Sequence, residues 1–480
     1  MIKNFKWLLL VSLTFVACNS DDEKVVDPNS TDGSPLTAGT ADFSKYVALG
    51  DSFAAGYSDG ALFKTGQMNS YPNIMATQFA LAGGGEFTTP FMNDDIGGFS
   101  SGGVQVPGLG VRLWFNPANS TPTPVSGVST TDISAHLTGP FNNMGIPGAK
   151  AIHLGVSGYA TANPYFGRFA SSAAATVLED AVSQNPTFFS LWIGGNDVLG
   201  YATSGGDGTN PITPVATFDA AYNALASALA TGGRKGVVAN LPYVSSLPYF
   251  TTVPYNPVPL NAATAAQLNS GYAPYNNGLL FAQANGLLTA AEVARRTINF
   301  TASNTNAVVI VDEYLTNLSG FGIPSYRHAT SEDLVVLPAR AFIGTTVGGN
   351  PLQVNGVSVP LADKWVLSKD EIIEVRTATD AYNVTIQGAA TNNGLAFVDA
   401  KAIMTQLTAP GGIVANNYTM TSAYVTGGTF SLDGVHPSPR GYALIANKFL
   451  AAINETYGSN FRGVNVGLYR ILYPQDPLNF

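Results

Sequence analysis

From residue 46 onward, short β-prone runs alternate with helical segments, and this alternation restricts the chain to a parallel sheet with helices on both faces. Strand-like runs are Tyr46-Val47-Ala48-Leu49, Phe188 to Ile193, Lys235 to Leu241 and Leu395 to Asp399. The intervening segments predict helices. Ser70-Tyr71-Pro72 offers an N-cap and an early proline for a helix through about Ala80. Ala173 to Ser183 and Phe218 to Ala230 follow, and Ser368 with Glu371 three residues on forms a capping box for a helix reaching about Ala390. Ser438-Pro439 opens a last helix with Tyr442, Ile445, Phe449 and Ile453 on one face. With 480 residues, 45% of them hydrophobic, such a chain can bury a large core. The expected class is α/β.

Two stretches interrupt the alternation. Residues 82 to 140 are rich in Gly, Ser, Thr and Pro with little periodicity, too long for a plain connection, and predict site-lining or cover structure. Residues 251 to 365 predict an insertion over the carboxyl edge of the sheet. Leu288-Thr289-Ala290-Ala291-Glu292 before Val308 to Asp312 echoes Leu367 to Glu371 before Ala396 to Asp399, but the period is not sustained. Between Leu241 and Tyr255 prolines and aromatics cluster, as a platform for a sugar ring or acyl chain would require; a stiff loop over the core is the simpler reading.

The first residues point to export. Lys3 and Lys6 precede an apolar run from Trp7 to Ala17, too short to span a bilayer, and the only cysteine follows at Cys18. The site resembles a lipobox: residues 1–17 as signal peptide, Cys18 as the lipidated residue, 18–40 as a flexible linker, and a protein held on the bacterial outer membrane. Asn19-Ser20-Asp21-Asp22-Glu23 resembles the acidic export signal of surface lipoproteins in Bacteroidota, although a soluble tether accounts for it equally. With Cys18 lipidated, no thiol remains for a disulfide or a nucleophile. The net charge of −9 and the lack of any basic run exclude nucleic acid as a partner.

The chemistry has to come from other groups. A serine hydroxyl becomes a nucleophile only beside a base, which in turn needs an orienting acid. Of four histidines, His136, His153 and His328 stand without an accompanying motif, as surface or satisfied core residues do. His436 stands in Leu432-Asp433-Gly434-Val435-His436-Pro437, where one turn can supply base and carboxylate together. Upstream, Gly50-Asp51-Ser52-Phe53 follows the first strand, which puts Ser52 at the carboxyl end of the sheet, where α/β proteins bind ligands. No second histidine or cysteine stands at ligand spacing near His436, so no metal or other cofactor is implied.

Two further blocks fall between these, Asn143-Met144-Gly145-Ile146-Pro147-Gly148 and Ile193-Gly194-Gly195-Asn196-Asp197. Four blocks in this order resemble the SGNH (GDSL-type) hydrolases over most of residues 44 to 458. The resemblance implies a flavodoxin-like three-layer α/β/α fold in residues 41–460, with large insertions and a C-terminal extension over 461–480. It implies Ser52 as nucleophile, Asp433 and His436 completing a triad, and an oxyanion hole from the Ser52 backbone N–H, Gly148 and Asn196. The expected substrate is a carboxylic ester of the acyl-lipid or O-acetyl-glycan type. Phe53 replaces the usual leucine of the first block, and Pro147 stands where small polar residues are also common; neither removes a catalytic atom. The competing expectation is a non-catalytic surface lipoprotein that binds glycan or lipid on the same scaffold.

Overall fold

The computed structural model describes residues 26–476. Five parallel strands form the central sheet: β1 (Tyr46–Gly50), β2 (Asn143–Gly145), β3 (Phe188–Trp192), β4 (Lys235–Ala239) and β5 (Ala396–Val398). Their spatial order is 2-1-3-4-5, the flavodoxin-like order that the resemblance implies. Tyr46 is in register with Phe188, Gly50 with both Trp192 and Gly145, and Phe188 with Lys235. The four strand-like runs all join this sheet. The fifth strand, β2, is only three residues long and lies inside one of the glycine-containing blocks.

Helices α1 (Ser52–Ala55), α2 (Tyr71–Leu81), α3 (Val177–Ser183), α4 (Asn196–Thr203), α5 (Val215–Ala230), α6 (Ala262–Ala284), α7 (Lys369–Asn393), α8 (Ala400–Thr408) and α9 (Pro439–Tyr457) supply most of the remaining framework. Alternate side chains of a strand face opposite sides, and β3 is buried on both. Phe188 and Trp192 meet Phe79 and Tyr71 of α2 and Tyr457 and Phe449 of α9. On the other face, Phe218 of α5 stacks on Tyr382 of α7 with ring centres 4.0 Å apart. Each such fully buried apolar side chain is worth about 1.5–3 kcal/mol relative to exposure, so both helical layers are tied to the sheet.

Several boundaries differ from the sequence reading. Helix α3 starts at Val177 rather than Ala173, because Thr176 Oγ1 accepts the Glu179 N–H while Glu179 Oε2 accepts the Thr176 N–H. The echo at 288–312 breaks down: Val309–Val311 pairs antiparallel with Tyr326–His328 and stays outside the central sheet. Residues 26–40, expected as part of a flexible linker, lie against the end of α9. Thr37 N–H donates to Asn460 Oδ1, Thr40 N–H to the Tyr457 carbonyl, and Ser30 bridges Phe461. Tyr457, Asn460 and Phe461 supply these contacts from far along the chain, which local composition does not reveal. Residues 1–25, including Cys18, fall outside the described residues.

Segment 82–140 forms two small hairpins, Ser100–Ser101 with Val104–Gln105 and Leu113–Asn116 with Thr121–Pro124. Its buried Arg112 holds the C-terminal extension through the carbonyls of Pro474 and Gln475. Segment 251–365 carries α6 and a small apolar cluster of its own, formed by Leu279, Ala282, Leu288, Val293, Leu318 and Ile323. Leu337 of this segment donates its N–H to the Tyr249 carbonyl, and Tyr249 in turn donates to the Gly434 carbonyl. Among the described residues no helix is long and apolar enough to cross a membrane.

Candidate active site

Three adjacent strands, β2, β1 and β3, deliver three of the sequence-selected blocks to one end of the sheet. Asp51 follows β1 directly and caps α1, its Oδ1 accepting the Phe53 N–H at 2.9 Å, so Ser52 becomes the first helical residue. The turn closes because Gly145 on β2 has no side chain: a Cβ there would stand 2.2 Å from the Ala55 nitrogen. Gly148 lies three residues beyond β2 with φ +80° and open space where a Cβ would point. Asn196 opens α4 after β3.

His436 comes from the loop before α9, 384 residues from Ser52, and its Nε2 stands 2.8 Å from Ser52 Oγ. Its Nδ1 lies 2.8 Å from Asp433 Oδ2. An ionised carboxylate can only accept, so the proton between them sits on Nδ1, and Nε2 is left to accept from the Ser52 hydroxyl. Burial alone would raise the Asp433 carboxyl. The charge and hydrogen bond of His436, with the N–H groups of Val435 and His436 on Oδ1, outweigh it and hold the group at about 2. The His436 ring packs between Phe53 and Tyr57, with centroids 5.4 and 4.6 Å away.

Around this relay stand residues that no motif announced. Gly60 N–H donates to Asp433 Oδ2 at 3.0 Å. Asp59 Oδ1 accepts the Leu432 N–H at 2.8 Å, and Ser58 Oγ donates to the Pro437 carbonyl at 3.0 Å. The loop from Ser58 to Gly60 thereby grips both sides of the Asp433–His436 turn. Asp59 is wholly buried, its Oδ2 has no hydrogen-bond partner, and burial together with nearby Asp433 raises it to about 7. Asp51 is likewise raised by burial, to about 6. The one sequence signal for the loop was an Asp-Gly pair, ordinary in any turn.

Asn196 Nδ2 donates to the Ala149 carbonyl at 2.9 Å, and Asp197 Oδ2 accepts the Ala151 N–H at 2.9 Å. These bonds fix α4 to the turn after Gly148. The other histidines stand apart: His136 Nε2 donates to the Ala170 carbonyl, and His153 Nδ1 accepts the Lys150 N–H. His328 donates from Nδ1 to the Ala307 carbonyl and accepts the Asn299 N–H at Nε2. The aromatic and proline-rich stretch does two things. It covers the core, and its Pro242 and Leu247 join Phe53 and Trp192 in walling two small apolar cavities of about 40 and 50 Å³. The first is also lined by Asp51, Gly195 and Val435, neighbours of the selected residues in sequence. Ser52 itself is only 6% exposed.

Residues 46–280 match the GDSL-like lipase/acylhydrolase family. Among solved structures, an acetyl xylan esterase from Geobacillus stearothermophilus is similar at 13% identity and TM-score 0.33, over 86% of this chain and 95% of that one. An extracellular lipase from Streptomyces rimosus is similar at 12% identity and TM-score 0.29, over 86% and 98% of the two chains. No curated protein matches the sequence. Through residues 46–280 this protein carries a GDSL-like lipase/acylhydrolase domain, and it is an ester-hydrolysing enzyme.

Proposed function

We propose that the protein cleaves carboxylic esters, of the acyl-lipid or O-acetyl-glycan type, through an acyl-enzyme on Ser52. The observation that carries this reading is the unbroken relay from Asp433 through His436 to Ser52 Oγ, with 2.8 Å at each step. Oγ attacks the ester carbonyl as its proton passes to His436 Nε2. The negative charge that develops on the carbonyl oxygen is met by the Ser52 and Gly148 backbone N–H groups and Asn196 Nδ2. Asn196 has two amide protons; the Ala149 carbonyl holds one and thereby aims the other. Collapse of the intermediate breaks the bond to the alcohol, which leaves with the proton from His436. A water then enters, gives its proton to Nε2, and releases the acid from Ser52.

The recessed serine and the small apolar cavities beside it support a short acyl group, of acetyl to butyryl size. At the N-terminus, the apolar run ending at Cys18 supports a lipid anchor to the outer membrane, with the ester substrate reached from the membrane surface. A fluorophosphonate probe tests the central step: it should label Ser52 and no other residue. Labelling that persists in Ser52→Ala at the wild-type level would place the nucleophile elsewhere.

A further inference from the structure

Away from Ser52, the 251–365 segment meets the body of the protein through a concentration of acids treated in two different ways. Asp312 and Asp333 are buried and neutralised: Arg327 Nε lies 2.5 Å from Asp312 Oδ2, its Nη1 2.6 Å from Asp333 Oδ2, and Arg295 adds a contact to Asp312 at 2.9 Å. The adjacent Glu313 and the nearby Asp363 and Glu371 have no such cation. One carboxylate oxygen from each lies within 4.8 Å of the other two, and among the described residues no lysine, arginine or histidine forms an ion pair with any of the three.

Glu371 is the independent observation. It is 0% exposed; its Oε2 accepts the Ser368 N–H as part of the capping box, while Oε1 is buried with no hydrogen-bond partner. The chain has also made room for that oxygen. A Cβ on Gly206 would stand 2.1 Å from Glu371 Oε1, and one on Gly205 2.0 Å from the Asp363 carbonyl oxygen. A buried acceptor left without a donor is unfavourable, and like charges this close repel. A cation removes both penalties at once.

We propose that Glu313, Asp363 and Glu371 bind one divalent cation, Ca²⁺, which ties the 251–365 segment to the first turn of α7. All three ligands are hard oxygens, as Ca²⁺ and Mg²⁺ prefer. Three protein carboxylates around one ion fit Ca²⁺, which takes several carboxylates, better than Mg²⁺, which usually keeps its waters and takes one or two. Glu313 is exposed and Glu371 buried, so the ion would enter from solvent at one end and be fixed in the protein at the other. The site lies outside the Ser52 relay and supplies no chemistry to it.

Isothermal titration of the EDTA-treated full chain with CaCl₂ tests this, with MgCl₂ as a parallel arm. About one equivalent of Ca²⁺ should bind with Kd on the order of 10⁻⁵ to 10⁻³ M, more tightly than Mg²⁺, and thermal unfolding should occur at a higher temperature in Ca²⁺ than in EDTA. Glu313→Gln, at an exposed position, should fold and weaken binding about tenfold or more; in EDTA it should be the more stable protein, because it relieves the repulsion. Asp363→Asn is the second variant, with the same expectation. Absence of Ca²⁺ binding at millimolar concentration, equal unfolding temperatures in Ca²⁺ and EDTA, or unchanged binding in both variants would overturn the site and show that the carboxyls share protons instead. Tighter binding of Mg²⁺ would overturn the choice of ion.

Discussion

The backbone N–H of Gly60 donates to Asp433 Oδ2 at 3.0 Å, the same oxygen that receives His436 Nδ1. A loop eight residues beyond Ser52 therefore helps to set the acid at the far end of the relay. The turn that holds the serine and the turn that holds the histidine are fastened to each other, so Ser52 and His436 keep their separation as one unit.

Removing any member of the relay should cost most of the activity. Ser52→Ala and His436→Ala should each lower turnover by roughly 10³- to 10⁶-fold, and Asp433→Asn by a comparable or smaller factor, with little further loss in double variants. Steady-state hydrolysis of a chromogenic acetate ester, beside circular dichroism to verify folding, measures this. A Ser52→Ala protein hydrolysing at the wild-type rate would refute the assignment.

Asp59 acts through its neighbour. Asp59→Ala strands the buried Leu432 N–H and should destabilise the fold by about 1–3 kcal/mol while lowering kcat more than it changes KM. Asp59→Asn retains an acceptor for that N–H and should restore much of kcat. Urea unfolding and steady-state kinetics on the two variants distinguish these outcomes; equal kcat in wild type and Asp59→Ala would remove Asp59 from the positioning scheme.

The buried acids set opposite pH trends. Asp51 and Asp59 are raised by burial to about 6 and about 7, so their contribution to stability is complete below the unfolded carboxyl range and is lost as pH rises through those values. For Asp51 the loss is on the order of 3 kcal/mol. Asp433, held at about 2, contributes stability above its ordinary value of 3.8 and loses it as pH falls toward 2. Unfolding free energy measured from pH 3 to 8 should decline between about pH 4 and 7, and Asp51→Asn should flatten that decline. An identical slope in the variant would show that Asp51 does not titrate in this way.

Acyl preference should follow the walls of the small cavities. Leu247→Ala should raise the ratio of butyryl to acetyl ester hydrolysis by roughly 10-fold or more, since a methylene in an apolar pocket is worth about 1–3 kcal/mol. The same change should cost about 2–5 kcal/mol of stability, as for other buried leucines. An unchanged ratio of kcat/KM values would place the acyl group outside these cavities.

The proposed lipid anchor is tested at Cys18. Cys18→Ala, or inhibition of lipoprotein signal processing, should release the protein from the membrane fraction without changing its activity on a soluble ester. Unchanged fractionation of the variant would exclude the lipid anchor.

What the sequence determined by itself was local. Tyr46 to Leu49 is a buried β-prone run that must end at Gly50, and Ser52 follows at a capped turn. Asp433 and His436 lie three residues apart on a glycine-containing turn, close enough for one loop to join them whatever the rest of the chain does. The βα alternation then dictated a parallel sheet, because each strand needs a crossover before its neighbour can be added. The tertiary structure decided everything that depends on partners distant in the chain. Val309–Val311 has the strand signature but not the place, since pairing with Tyr326–His328 saturates it outside the central sheet. Asp59 and Gly60 looked like turn residues until the fold laid them against Leu432 and Asp433, some 370 positions away. Glu371 was legible as half of a capping box, which accounts for one of its oxygens; the need of the other appears only when Glu313, Asp363 and Gly206 are packed around it. Hydrogen bonds within a turn are written in spacing, whereas burial and charge compensation depend on which segments the whole chain brings together.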